Sequence, residues 1–93
     1  MTAVLIEKSR TVLSDTAFFE VTLWHVPAPV PGSLHAFKYR LALVVNGACV
    51  LRYDNERGKG DHRPIGSRED RFAFTSLEAL FDAFEADMRR ILG

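Results

Sequence analysis

Phe37-Lys38-Tyr39-Arg40-Leu41-Ala42-Leu43-Val44-Val45-Asn46-Gly47-Ala48-Cys49-Val50-Leu51-Arg52-Tyr53 is the stretch that decides the fold. In a strand, successive side chains point to opposite faces, so residues 36 to 45 put Phe37, Tyr39, Leu41, Leu43 and Val45 on one face. Lys38, Arg40, Ala42 and Val44 fall on the other, which makes this a strand with a basic beginning. Asn46-Gly47 follows, and both residues accept the positive φ of a type I′ turn. The chain must therefore fold straight back, with Cys49 to Tyr53 as the returning antiparallel strand.

Upstream, residues 3 to 13 and 17 to 26 are rich in Val, Ile, Leu, Phe, Thr and Trp, and Ser14-Asp15-Thr16 joins them. This pattern predicts a second hairpin. Within it, Phe19, Val21, Leu23 and His25 share one face and Phe18, Glu20, Thr22 and Trp24 the other. Val26-Pro27-Ala28-Pro29-Val30-Pro31-Gly32-Ser33 then loses backbone donors at its prolines, which predicts a stiff extended loop. His25 and His35 flank that loop and read as structural. Downstream, Arg71-Phe72-Ala73-Phe74 is expected to form a short edge strand. Thr75 and Glu78, three apart, form a capping box for a helix whose apolar stripe is Leu77, Leu80, Phe81, Phe84, Met88 and Ile91. Arg89 and Arg90 near its end complement the helix dipole. The expected fold is α+β: a twisted antiparallel sheet of four or five strands covered by one C-terminal helix.

Ninety-three residues, 47% of them hydrophobic and seven of them Phe, suffice for a single domain spanning 1–93 with one modest core. Cys49 is the one cysteine, so an internal disulfide and a cysteine zinc site are excluded, and a reducing cytoplasm is expected. Its place in an apolar run makes Cys49 a core or strand residue rather than a nucleophile. Glu7, Lys8 and Arg10 interrupt any signal-peptide core, and no apolar run reaches the roughly 20 residues of a membrane-spanning helix. The N-terminal segment is expected to belong to the fold, and no membrane association is expected. Twelve basic and twelve acidic residues cancel, which excludes a bulk polyanion binder but permits a local basic patch.

Chemistry concentrates in Tyr53-Asp54-Asn55-Glu56-Arg57-Gly58-Lys59-Gly60-Asp61-His62-Arg63-Pro64. His62 titrates near neutrality and can serve as a general acid or base. Arg57, Lys59 and Arg63 can hold a phosphodiester, the arginines as planar forks and the lysine as a point charge. The same carboxylates and cations could also pair as a solvated network that merely orders a loop. Gly58-Lys59-Gly60 is not a Walker sequence, because the glycine spacing differs and no Ser or Thr follows the lysine. Asp54, Glu56, Asp61 and His62 could assemble a hard-cation site, but the intervening cations disfavour it, so metal-free chemistry ranks first and no cofactor is called for. Trp24, Tyr39 and Tyr53 read as packing residues before they read as base-stacking platforms.

Taken in order, several segments resemble the TumE family of small bacterial toxins. The carriers are Trp24-His25-Val26-Pro27 with Val30-Pro31-Gly32-Ser33, Phe37-Lys38-Tyr39-Arg40-Leu41, Val45-Asn46-Gly47, the segment from Tyr53 to Arg63, and Phe74-Thr75-Ser76-Leu77-Glu78. The resemblance implies growth arrest and a cognate antitoxin, typically a helix-turn-helix protein. The family pattern often reads Asp-His-Arg-His, whereas Pro64 stands here at the second histidine, so any second proton carrier would have to be His25 or His35. The expected reaction is ribonuclease-like and metal-independent. His62 transfers a proton, Asp61 orients it, and Arg57, Lys59 and Arg63 stabilise phosphate charge, while Lys38, Arg40 and Tyr53 contact RNA. The competing reading is a non-enzymatic toxin that uses the loop to bind a protein target. An exposed sheet edge would allow a homodimer or an antitoxin arm.

Overall fold

The computed structural model describes residues 2–55, 60–65 and 68–93, with the backbone alone for 62–65 and 68–71. The chain runs as β1 (Val4–Val12), β2 (Ala17–His25), β3 (Phe37–Val45), β4 (Ala48–Asp54), β5 (His62–Ile65), β6 (Arg68–Arg71) and α1 (Leu77–Leu92). The strands form one antiparallel sheet in chain order, β1 to β6, and the architecture is α+β as the sequence predicts. Four longer strands lie where the alternation places them. The short strand expected at residues 71 to 74 instead occupies Arg68–Arg71, and His62–Ile65 adds a strand inside the segment read as loop.

Asn46 and Gly47 take φ of 52° and 78°, and Val45 pairs with Ala48, so the two-residue turn forms as the sequence requires. The ladder then shifts: Val44 pairs with Cys49 but Leu43 pairs with Leu51, which makes Val50 the extra residue of a β-bulge. Simple alternation would have put Cys49, Leu51 and Tyr53 on one face. The bulge detaches Cys49 from that set, and the thiol is exposed rather than in the core.

One face of the sheet is buried. Val21 and Leu23 from β2, Tyr39, Leu41 and Leu43 from β3, and Leu51 and Tyr53 from β4 pack with Leu80, Phe84 and Met88 of α1. Each large apolar side chain so buried contributes about 1.5–3 kcal/mol. Phe84 sits edge-on to both Phe19 and Tyr53, at centroid distances of 6.0 and 5.5 Å. Leu77 and Phe81 lie at the margin of this core, and Ile91 is exposed.

The helix starts one residue later than the capping-box pattern predicts. Ser76, not Thr75, is the N-cap, and its hydroxyl accepts from the Ala79 amide at 3.0 Å. Ser76 is extended (φ −159°, ψ 164°), as an N-cap requires, so the position three residues on is Ala79 and Glu78 has only its charge to offer the first turn. At the far end Gly93, with φ of 92°, closes the last turn through its amide to the Arg89 carbonyl.

β1 is different in kind. It ends the sheet, and every one of its residues is exposed. Among the described residues no helix is long and apolar enough to cross a membrane.

Candidate functional site

At the end of the sheet where β2 finishes and β3 begins, two loops are tied together. The proline segment is closed by the Val26 amide on the Ala36 carbonyl and the Ser33 amide on the Val30 carbonyl, both at 2.9 Å. Against it lies Gly60, whose φ of +88° and closeness to Gly32 disfavour a side chain: a Cβ there would stand 3.2 Å from the Gly32 carbonyl oxygen, a tight approach. Asn55 holds the junction. It is fully buried, accepts from the Tyr39 amide at 3.0 Å, and donates to the Phe37 carbonyl at 2.7 Å and to Ser33 Oγ at 3.3 Å. Its side chain thus continues the β3 ladder past the point where β4 ends.

Asp61 completes the knot. Its Oδ1 accepts from Ser33 Oγ at 2.5 Å and its Oδ2 from His35 Nε2 at 2.9 Å. The Phe37 amide donates to His35 Nδ1 at 3.2 Å, so Nδ1 must accept and Nε2 must carry the proton it gives to Asp61. The imidazole also stacks on Phe74 at 3.7 Å between centroids. With both nitrogens engaged and one face covered, His35 is a fixed structural ring. These residues, with Phe72 and Ala73, line a pocket of about 260 Å³. Beside it the Tyr39 phenol is pushed far above its usual value, first by burial and then by the carboxylate of Asp61. Its hydroxyl feels that carboxylate, meets no partner at full hydrogen-bonding geometry among the described residues, and stays protonated.

The opposite face of the sheet carries different chemistry. Alternation and register put Glu20, Thr22, Trp24, Lys38, Arg40, Ala42, Arg52 and Asp54 there, away from α1. Arg10 reaches Glu20 at 3.0 Å and lies over the Phe18 ring at 4.3 Å. Arg40, its ladder partner, and Arg52 stand beside Asp54, which is only 3% exposed, and Lys38 is the next residue along that face of β3. Arg52 Nε stands 2.5 Å from Asp54 Oδ2, an ion pair rather than an aligned hydrogen bond, and Asp54 Oδ1 is buried with no hydrogen-bond partner among the described residues. Such an acceptor is costly to leave unmet, by about 1–3 kcal/mol. In the ladder Asp54 stands between Arg40 on β3 and His62 on β5.

A family model described as Toxin TumE matches residues 2–92, nearly the whole chain. The chain belongs to the TumE toxin family. It is a toxin of a toxin–antitoxin system, and membership implies an antitoxin partner. No curated protein and no solved structure matches it significantly.

The expected working residues of this TumE toxin fall in several places. Arg57 and Lys59 lie outside the described residues. His62 and Arg63 begin β5, opposite Asp54 and Asp70 respectively, and their side chains lie outside the description. Asp61 bonds to Ser33 and His35. Lys38 and Arg40 are half-buried on the uncovered face. Tyr53, expected to contact RNA, is wholly buried instead: its ring packs against Phe72 and Phe84, and its hydroxyl donates to Asp87. The alternation that puts Leu51 in the core puts Tyr53 there too.

Asn55, Ser33 and Asp87 carry roles that motif reading passed over. Asp87 is 2% exposed inside the helix stripe, where it meets Tyr53 and Arg90. Its place seven residues after Leu80 and three after Phe84 was the available signal. Among the described residues, no group of three or more His, Cys, Asp and Glu side chains converges as a metal site would need.

Proposed function

We propose that this toxin arrests growth by acting on RNA in the cytoplasm, through metal-independent phosphodiester chemistry at residues 53–64. One observation carries the reading: Asp54 is a buried carboxylate with an oxygen that meets no hydrogen-bond partner among the described residues, stands beside Arg40 and Arg52, and is the ladder partner of His62. Directly opposed residues of an antiparallel pair hold their Cβ atoms about 4.5–5.5 Å apart, which is the reach of a carboxylate–imidazole pair. In this scheme Asp54 orients His62, the role first given to Asp61, while Asp61 anchors the loop through Ser33 and His35. His62 takes the proton of the ribose 2′-hydroxyl. The 2′-oxygen attacks phosphorus, the bond to the 5′-oxygen breaks, and that oxygen leaves as a hydroxyl after gaining a proton. Arg57 and Lys59 stabilise the charge on the phosphoryl oxygens, with Lys38 and Arg40 holding the strand alongside.

His25 does not replace the missing histidine at position 64. It is exposed at the end of β2, three strands from β5 and three residues along from the row that contains His62. Strand spacing and rise put the two backbones roughly 17 Å apart, beyond the reach of an acid–base pair on one phosphate. His35 has both nitrogens engaged. The reaction therefore runs with one histidine, and the other proton is exchanged with water.

The test is induction of wild type and His62→Ala with total RNA examined for discrete breaks. Wild type should cut, and the variant should lose roughly 10²- to 10⁴-fold in rate. Unchanged cleavage by His62→Ala would overturn the assignment. Zero net charge and the burial of Tyr53 favour the second reading, in which the loop binds a protein target and no bond breaks. Its signature is full arrest with intact RNA and stoichiometric inhibition. In either reading the antitoxin is proposed to be a helix-turn-helix protein.

A further inference from the structure

Strand β1 leaves a complete edge of the sheet unpaired. Nine residues long and exposed throughout, it carries apolar Val4, Leu5 and Ile6 at one end and Val12, followed by Leu13, at the other. An edge of this kind is a template for strand addition, and proteins usually blunt it with proline, a covering loop or very short length. None of these is present along β1 among the described residues, although the register shift between Leu5 and Glu7 puts a β-bulge at Ile6, a milder device of the same kind. The strand's centre is charged instead: Glu7, Lys8 and Arg10.

Those charges decide between two occupants. A second copy would pair β1 with β1 antiparallel about a two-fold axis perpendicular to the sheet, so that residues opposite one another sum to an even number. Centred on Glu7, Lys8 or Arg10, the pairing sets that residue against itself. Centred on Ser9, it sets Lys8 against Arg10. Like charges directly opposite are destabilising, and every register centred between Glu7 and Arg10 contains such a pair. The registers with the fullest overlap are therefore disfavoured for self-association.

A different chain with an acidic centre meets no such penalty. Arg10 already pairs with Glu20, whereas Lys8 has no ion-pair partner among the described residues. Leu13 also lines an open apolar groove of about 680 Å³ with Phe19, Phe81, Met88 and Leu92, so the edge runs into a second apolar surface at its Val12 end. We infer that the outer edge of β1 receives an extended segment of the antitoxin as a seventh strand, with an acidic residue opposite Lys8 and apolar residues that reach Val12, Leu13 and the groove. Main-chain hydrogen bonds supply the affinity of such an addition, and side chains at alternate positions supply its specificity. The inference rests on membership of a toxin family that implies an antitoxin, and is independent of what the toxin does to its target.

The experiment uses the full-length toxin and the antitoxin encoded with it. Hydrogen exchange should show the outward-facing amides of β1, those not bonded to β2, protected in the complex and open in the free toxin. Lys8→Glu should weaken the complex by about tenfold or more, since it sets like charges against each other. Replacing the acidic residue of the antitoxin segment with Lys should restore binding to Lys8→Glu and impair binding to wild type. Protection confined to other elements, or an affinity unmoved by Lys8→Glu in a variant of unchanged circular dichroism, would overturn the proposal. So would a free toxin that is already a dimer paired through β1.

Discussion

The two faces of the sheet divide the work of the chain. On the face under α1, Tyr39, Leu41, Leu43, Leu51 and Tyr53 meet Leu80, Phe84 and Met88, and the polar atoms admitted there belong to packing residues. On the other face, one residue along in each strand, Arg40 pairs with Asp54 and Arg52 with Ala42, and Lys38 precedes Arg40 on β3. A step of one residue thus separates the side chains that stabilise the sheet from those that can act on an anion. Changes under the helix should cost stability, and changes on the uncovered face should cost activity.

The largest stability effect is expected from Phe84→Ala, which removes a ring contacted by Phe19 and Tyr53. It should lower unfolding free energy by about 3–5 kcal/mol in urea titration. Asn55→Ala comes next. It strips partners from the Tyr39 amide and the Phe37 carbonyl and frees the proline segment, so a loss of about 2–4 kcal/mol is expected by the same titration. Tyr39→Phe should be nearly neutral at pH 7, within about 1 kcal/mol, because the hydroxyl it removes meets no well-aligned partner among the described residues. Its effect lies at high pH. The folded state holds the Tyr39 phenol protonated above the usual tyrosine range, so the unfolded chain releases that proton first. Stability is full below about pH 10 and falls as pH rises beyond it, and Tyr39→Phe should show a higher alkaline unfolding midpoint.

Local signals in the sequence were read well where they repeat. Asn46-Gly47 and the alternation on either side of it place β3 and β4, and the Leu80, Phe84, Met88 stripe places α1. β5 and β6 are harder to see, because His-Arg-Pro-Ile and Arg-Glu-Asp-Arg hold no apolar alternation, and Pro64 counts against a strand. The bulge at Val50 is invisible to period counting and moves Cys49 out of the core. At the site, Asp61 stood out by its neighbours in sequence, but its contacts with Ser33 and His35 span 28 and 26 residues. Asn55 reaches Ser33 across 22 and Tyr53 reaches Asp87 across 34. Contacts at such separations leave no local pattern, since the backbone between them, rather than side-chain spacing, brings them together.

The division between the two faces is tested most directly at Asp54, measured for growth arrest and thermal unfolding in the same variant. Asp54→Asn keeps the shape of the side chain and removes its charge from beside Arg52 and from the row of His62. The account predicts that arrest is lost while the melting temperature stays within a few degrees of wild type. Full arrest by Asp54→Asn, or a loss of arrest that appears only with unfolding, would contradict it.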